Sequence, residues 1–445
     1  MPNGLLTDLY QLTMSAGYFE AGRLEERATF ELFVRRLPHH RNFILAAGLE
    51  QAVEYLLNLR FTPDEIAYLR SLPQFARTSD GFFKMLSELR FTGDLFAVPE
   101  GTPIFAGEPY LTLRAPLVEA QIPETYLLAM IGFQSMIATK AARVVKAALG
   151  RDVVEFGTRR AHSPEAGVLA GRAAYIGGCA GTSNTETGLR YGVPVFGTAS
   201  HSWVMSFEHE REAFRQLQAL LGENTAYLVD SYDTLEGTRR AAELGRPLWG
   251  VRLDSGNLVE LTKAVRKVLD DAGLPEAKIM ATGDLNEYKI HELVAAQAPI
   301  DVFGVGTELA TSADAPSLGV VYKMVELEGD HGHRYTIKLS EDKHTLPGAK
   351  QIFRYPDHDQ LGRSVECPSC HGGPRPEALL RPVILRGKLV EPLPGITQVR
   401  QYAAESLAKL PASCQSLFEK EHAWRVEISP ELLGLYEKVR QGVAL

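Results

Sequence analysis

The chain has 445 residues, 45% hydrophobic and 23% charged, with a formal net charge of −8. This is the make-up of a globular protein of roughly two to three domains, and without a basic stripe it argues against nucleic acid as a partner. No apolar run approaches the roughly 18 residues that span a membrane, the 4 cysteines are too few for a disulfide scaffold, and the opening residues lack the basic and apolar regions of a secretion signal. A cytoplasmic protein with no membrane partner is expected.

In chain order, residues 1–150 read as an N-terminal α+β domain. Helical spacing over 5–19 is followed by strand-like alternation over 28–34, a half-buried pattern. A helix over 48–57, a helix start at Thr62-Pro63-Asp64-Glu65, short strands within 89–113 and a long helix over 119–149 complete it. The rhythm then changes. Short apolar runs at 153–156, 176–180, 193–196, 226–229, 248–251, 278–281 and 300–303 alternate with amphipathic segments such as 258–272 and 286–296, and 319–323 closes the set. Strands alternating with helices predict parallel βα units. The lack of a single glycine-rich dinucleotide turn favours a (β/α) barrel over 151–330. At roughly 180 residues against about 250 for a typical barrel, it must be irregular. Residues 331–445 predict antiparallel strands at 335–339, 351–355 and 383–385, then helices over 397–410 and 431–440.

Polar groups recur just past the predicted strands: Gly157-Thr-Arg-Arg160 with His162, Gly181-Thr-Ser-Asn184, Gly197-Thr-Ala-Ser-His201, Asp230-Ser231, Arg252-Leu-Asp-Ser-Gly256, Thr282-Gly-Asp284 and Gly304-Val-Gly-Thr307. Each alone is ordinary turn chemistry. All of them in register would line one mouth of a barrel, where barrel active sites lie. Backbone amides of Gly304 to Thr307 can cradle phosphate. Asp230, Asp254 and Asp284 can hold Mg²⁺ or ribose hydroxyls. Arg159, Arg160 and Arg252 can pair with a carboxylate or pyrophosphate. On the long helix, Lys140 and Arg143 share a face, either reaching pyrophosphate or facing solvent. Together these groups suit a phosphorylated sugar plus an anion.

Thr7-Asp-Leu-Tyr-Gln-Leu-Thr-Met14, Glu155-Phe-Gly-Thr-Arg-Arg160, Gly197-Thr-Ala-Ser-His-Ser-Trp203, Arg252-Leu-Asp-Ser-Gly256 and Gly304-Val-Gly-Thr307 occur in one order over nearly the whole chain. In this the sequence resembles the nicotinate phosphoribosyltransferases. The resemblance implies an irregular α/β barrel joined to a second domain built from N- and C-terminal segments. It implies formation of nicotinate mononucleotide and pyrophosphate from nicotinate and phosphoribosyl pyrophosphate, in NAD biosynthesis. ATP hydrolysis would be coupled through a phosphohistidine at His201, with Mg²⁺ as cofactor. It also implies a homodimer sharing its sites, with Tyr10 stacking on the pyridine ring, and Arg252 and Arg159 on its carboxylate. Thr198, Asp254, Ser255, Gly283, Asp284, Gly304, Gly306 and Thr307 would line the rest of the substrate site.

The match departs from the family at Asn257, where aspartate is usual, and at Ser200, where alanine is usual. Glu366-Cys-Pro-Ser-Cys-His371 raises a structural Zn²⁺ site on Cys367 and Cys370, completed by Cys414 and one of His358 or His371; a reduced surface turn is the alternative. Rival functions are a transferase for nicotinamide or quinolinate, a Schiff-base lyase or aldolase, and a non-catalytic regulator keeping the fold. Paired arginines argue against nicotinamide. A phosphohistidine is unneeded for quinolinate. Only Lys323, on the weakest strand, lies where a Schiff-base lysine would be needed.

Overall fold

Six parallel strands organise one of the two units into which the chain divides, Met136–Pro316 with Ile396–Ala404. The structure, a computed structural model, describes residues 4–329, 332–339, 344–368, 375–418 and 424–442. The strand order across the sheet is Gly181–Thr182, Asp152–Glu155, Val302–Val305, Lys278–Ala281, Gly250–Leu253, Ala226–Leu228. First and last strands are neighbours, as in a barrel, and Val302 to Val305 pair in register with Asp152 to Glu155. Near-continuous apolar strands such as Val302–Val305, buried at every position, are what a parallel sheet covered on both faces requires. Tyr227, Val251, Leu253 and Ile279 meet Val265 and Leu269 of the Leu258–Asp271 helix in its core. Helix starts are fixed by polar caps: Ser163, Asn184, Asp233, Asn257 and Asn286 each accept a hydrogen bond from the first turn of the helix that follows.

The expected barrel does not close: the parallel strands form an open sheet. Among the described residues the only continuation beyond Gly181–Thr182 is a single parallel bridge, Thr182 to Val195, and nothing pairs the free edge of Ala226–Leu228. The strand expected at 193–196 is reduced to that bridge. The one expected at 176–180 is absent: the Pro164–Ile176 helix runs through its start and ends at Gly177. A Cβ on Gly177 would overlap the Ala138 carbonyl, so this Gly-Gly pair serves close helix packing. Residues 319–323 do not close the set. The strand there, Val320–Gly329, pairs antiparallel with Arg27–Val34 in the other unit.

That other unit gathers Met1–Ser135, Ser317–Gly395 and Glu405–Leu445. Its seven-stranded sheet has Arg27–Val34 between Val320–Gly329 and Pro109–Pro116. The half-buried alternation expected for Arg27–Val34 gives way to burial at all but its first position, because it is an interior strand of the sheet. Glu31 on this strand meets Lys350 at 2.7 Å with both side chains buried. A four-stranded sheet, Glu377–Ala378, Lys350–Arg354, His358–Arg363 and Arg425–Ile428, carries a second inward pair, Arg354 to Asp359 at 2.6 Å. The helix start expected at Thr62 is found, and Thr62 and Glu65 form a reciprocal cap on the Pro63–Ser71 helix. Among the described residues no helix is long and apolar enough to cross a membrane.

Candidate functional site

Three consecutive turns at the C-terminal ends of the parallel strands, and the Thr198 segment beside them, are tied together by side chains. Arg252, near the end of Gly250–Leu253, donates from Nη1 to Thr198 Oγ1 at 2.6 Å, and its Nη2 lies 4.0 Å from Asp254 Oδ1. Its side chain is only 14% exposed. Burial pushes the guanidinium below its ordinary value while Asp254 and Asp230 support its charge, and it remains a cation. Its Nε is buried without a hydrogen-bond partner.

Asp230 braces the next turn. One carboxylate oxygen accepts from the Asp254 amide and the Ser255 hydroxyl, both at 2.8 Å, while Oδ1 is buried without a partner. The Thr282 hydroxyl contacts the Leu253 carbonyl at 3.1 Å and also bonds Asp254 Oδ1. Gly283 follows with φ +93°, and a Cβ there would overlap the Asp254 carbonyl; only glycine lets these two turns touch. Asp284 is exposed at φ +45°, its carbonyl accepting from Lys289 Nζ at 2.8 Å.

His201 lies on the segment that crosses the open side of the sheet, between Val195 and Ala226, as the first residue of the short helix His201–Met205. Its Nδ1 is 3.1 Å from Ser231 Oγ and its Nε2 is 3.9 Å from Asp254 Oδ2. The helix is anchored by Trp203, whose indole donates to the Ala213 carbonyl at 3.1 Å. The ring is 38% exposed, open enough to meet a ligand.

A second group of turns forms around Glu155. This buried carboxylate accepts from the Gly157 amide and from the Thr182 hydroxyl, the latter at 2.6 Å; burial raises its carboxyl and the two donors oppose that rise. A Cβ on Gly157 would overlap Ala310 and the Gly306 carbonyl, so the turns after the first and last strands are packed face to face. Thr158–Arg160 forms one 3₁₀ turn with Arg159 and Arg160 exposed. Gly306 and Thr307 follow the last strand, and Thr307 opens the Thr307–Ala310 helix. Gly304 lies inside that strand, opposite Val154, and packs against Thr282 and Phe156. Its place is a packing position rather than a strand-end turn.

The structure thus brings together Thr198, His201, Arg252, Asp254, Ser255 and Thr282, with Gly283 beside them. Tyr10 belongs to the other unit, on the Leu9–Glu20 helix, with its ring 48% exposed. Ser231 and Glu155 are the residues that reading the sequence left without a role. Ser231 carried only a turn signal, and Glu155 only its place in a motif. Asn257 caps the Leu258–Asp271 helix, its carbonyl oxygen accepting from the Glu260 amide at 3.5 Å. Lys140 and Arg143 are neither solvated nor open to a ligand: both are buried among carboxylates. Cys367 is exposed, while Cys370 and His371 lie outside the described residues. Among the described residues no group of three or more His, Cys, Asp and Glu is placed to hold a metal ion.

Residues 5–132 match the family model for the N-terminal domain of nicotinate phosphoribosyltransferase, and 369–436 match the model for its C-terminal domain. Residues 137–317 match the model for the C-terminal domain of quinolinate phosphoribosyl transferase. A nicotinate phosphoribosyltransferase of Mycobacterium tuberculosis is 43% identical over 449 aligned residues, covering 98% of this chain and 94% of that protein. The chain belongs to the nicotinate phosphoribosyltransferase family. A Bacillus subtilis nicotinate phosphoribosyltransferase is 45% identical over 360 residues, covering 79% of this chain and 72% of the relative. The crystal structure of human nicotinic acid phosphoribosyltransferase superimposes with a TM-score of 0.85 at 30% identity, covering 97% of this chain and 99% of that one. Membership in the family leaves the lyase reading without support, and the lysine it needed, Lys323, lies on an antiparallel strand of the other unit.

Proposed function

We propose that this chain transfers the phosphoribosyl group of phosphoribosyl pyrophosphate to the ring nitrogen of nicotinate, releasing pyrophosphate and giving nicotinate mononucleotide for NAD biosynthesis. The observation that carries the reading is Arg252, a nearly buried cation at a strand end, fixed by Thr198 and keeping an unpartnered Nε. A carboxylate on a flat ring is a natural partner, and such a charge-assisted bond is worth about 1.5–3 kcal/mol. Arg159 can share that carboxylate or meet pyrophosphate.

As the glycosidic bond breaks, positive charge builds on the ribose and negative charge on the leaving group. Hydrogen-bond donors already in place then stabilise the negative charge on the leaving group, while the strand-end carboxylates favour the positive ribose. Gly306 and Thr307 would hold the ribose phosphate, and Gly283 and Asp284 the ribose hydroxyls. Mg²⁺, when bound with pyrophosphate, neutralises leaving-group charge, and Asp230, with its unpartnered Oδ1, and Asp254 are the residues that would hold it.

His201 would couple ATP to this reaction. With the proton on Nδ1, donated to Ser231, the Nε2 lone pair is free to attack the γ-phosphate. The Nε2–phosphorus bond forms, the β,γ oxygen–phosphorus bond breaks, and ADP leaves. Tyr10 would stack on the pyridine ring from a second copy of the chain. Leu6, Leu9 and Met14, near it in the chain, are also exposed and apolar, which suits a surface covered by such a copy.

The test is mononucleotide formation by the purified protein with phosphoribosyl pyrophosphate, Mg²⁺ and one of nicotinate, nicotinamide or quinolinate. Product from nicotinate alone is expected. Product from either other base moves the assignment to that base, and none from any base removes the enzyme reading.

A further inference from the structure

Two buried cations lie beneath the strand ends without belonging to the substrate constellation. Lys140 is 1% exposed and Arg143 6%, on one face of the Glu124–Ala147 helix. Lys140 Nζ lies 2.5 Å from Glu287 Oε2, 2.9 Å from Asp314 Oδ1 and 3.8 Å from Glu308 Oε2. Arg143 donates to the other Glu287 oxygen at 3.0 Å and to the Tyr288 hydroxyl at 3.1 Å. Glu287 itself is fully buried.

The positions of these carboxylates in the chain give the cluster its meaning. Glu287 begins the helix three residues after Asp284, in the turn that follows Lys278–Ala281. Glu308 lies in the first turn of the short helix that begins at Thr307, just after Val302–Val305, and Asp314 follows that helix. Those two strands are hydrogen-bonded neighbours. One ammonium therefore ties together the two adjacent turns that the proposed function assigns to the ribose hydroxyls and the ribose phosphate.

We infer that Lys140 is a positioning residue for phosphoribosyl pyrophosphate: it sets the spacing between the Gly283–Asp284 turn and the Gly306–Thr307 turn by joining Glu287 to Asp314. This rests on the assignment of those turns to phosphoribosyl pyrophosphate. Ion pairs out of water are strong and directional, and a charge left there without its partner is costly, so the geometry is held tightly. Without Lys140, Glu287 keeps its bond from Arg143, and the Lys140–Asp314 bond that spans the two turns is lost.

The experiment compares steady-state kinetics of the wild type, Lys140→Met and Asp314→Asn, with thermal melting of each. Asp314 is 25% exposed, so its amide variant is expected to fold even where Lys140→Met does not. A loosened turn raises KM for phosphoribosyl pyrophosphate about tenfold in Lys140→Met and about threefold in Asp314→Asn. KM for nicotinate stays within about twofold in both. Lys140→Arg, which keeps the cation, should recover part of the loss. Unchanged KM for phosphoribosyl pyrophosphate in Asp314→Asn, or both KM values rising together, overturns the inference. Wild-type protein that turns nicotinate over without using phosphoribosyl pyrophosphate, or not at all, overturns the assignment of the turns, and the inference with it.

Discussion

Both units bury charge, but they do so in different ways. In the antiparallel unit, Glu31 with Lys350 and Arg354 with Asp359 are inward-facing pairs whose carboxylates are fully buried. In the parallel unit, Arg252, Asp254 and His201 are 14–38% exposed at one edge, and Asp230 Oδ1 and Arg252 Nε lack partners. The first arrangement is closed: Glu31 with Lys350 joins two sheets, and Arg354 with Asp359 joins two strands of one. The second is left open at one side, as a site needs to be. The Lys140 cluster combines the two: it is closed like the first but lies under the second.

The most severe way to break this contrast is Lys350→Met. It strands Glu31 in the core and should cost about 3–5 kcal/mol of stability by urea unfolding. The turnover number of the remaining folded protein should not change; lost turnover at full stability would mean that the closed pairs serve the chemistry. Next comes Arg252→Ala. Its kcat/KM for nicotinate should fall about a hundredfold, in line with the roughly 3 kcal/mol of a charge-assisted bond. Its melting temperature should move by less than about 3 °C, and a larger shift with modest kinetic loss would reassign Arg252 to the fold.

Ser231→Ala sharpens the picture further. Losing the hydroxyl that orients His201 should lower the ATP-dependent rate about fivefold, close to 1 kcal/mol. An unaltered rate would show that the imidazole is held by other means. The smallest effect is expected from Asn257→Asp. Asparagine and aspartate cap helices about equally well, so stability should stay within about 0.5 kcal/mol and kcat/KM within about twofold. A marked gain in rate would mean that position 257 acts on substrate rather than on its helix.

Local patterns in the sequence were enough to place most elements. The strand at Lys278–Ala281 is the apolar run read from residues 278–281, and Thr62-Pro63-Asp64-Glu65 opens a helix as its cap chemistry requires. Errors arose where pairing is distant or where glycine misleads. Val320–Gly329 is an apolar strand like its predecessors, but its partner Arg27–Val34 lies nearly three hundred residues earlier, and register across such a distance leaves no local trace. Ile176-Gly-Gly-Cys-Ala180 has strand-like composition, while its glycines serve a helix end and a close contact with the preceding helix. At the site, Arg252 and His201 stood out because they follow apolar runs. Ser231 did not, because its partner is thirty residues away and the pair meets only once parallel strands bring their ends together. Lys140 showed its helix face but not its buried acids, which come from two other turns.

The most direct test of the strand-end account is the ratio of ADP to nicotinate mononucleotide formed by the wild type and by His201→Ala under saturating ATP. The account predicts ADP formation coupled to product in the wild type. In the variant, ADP formation should be lost, with mononucleotide still made at a reduced, ATP-independent rate. Equal ADP formation by both proteins would contradict it and place ATP chemistry away from His201.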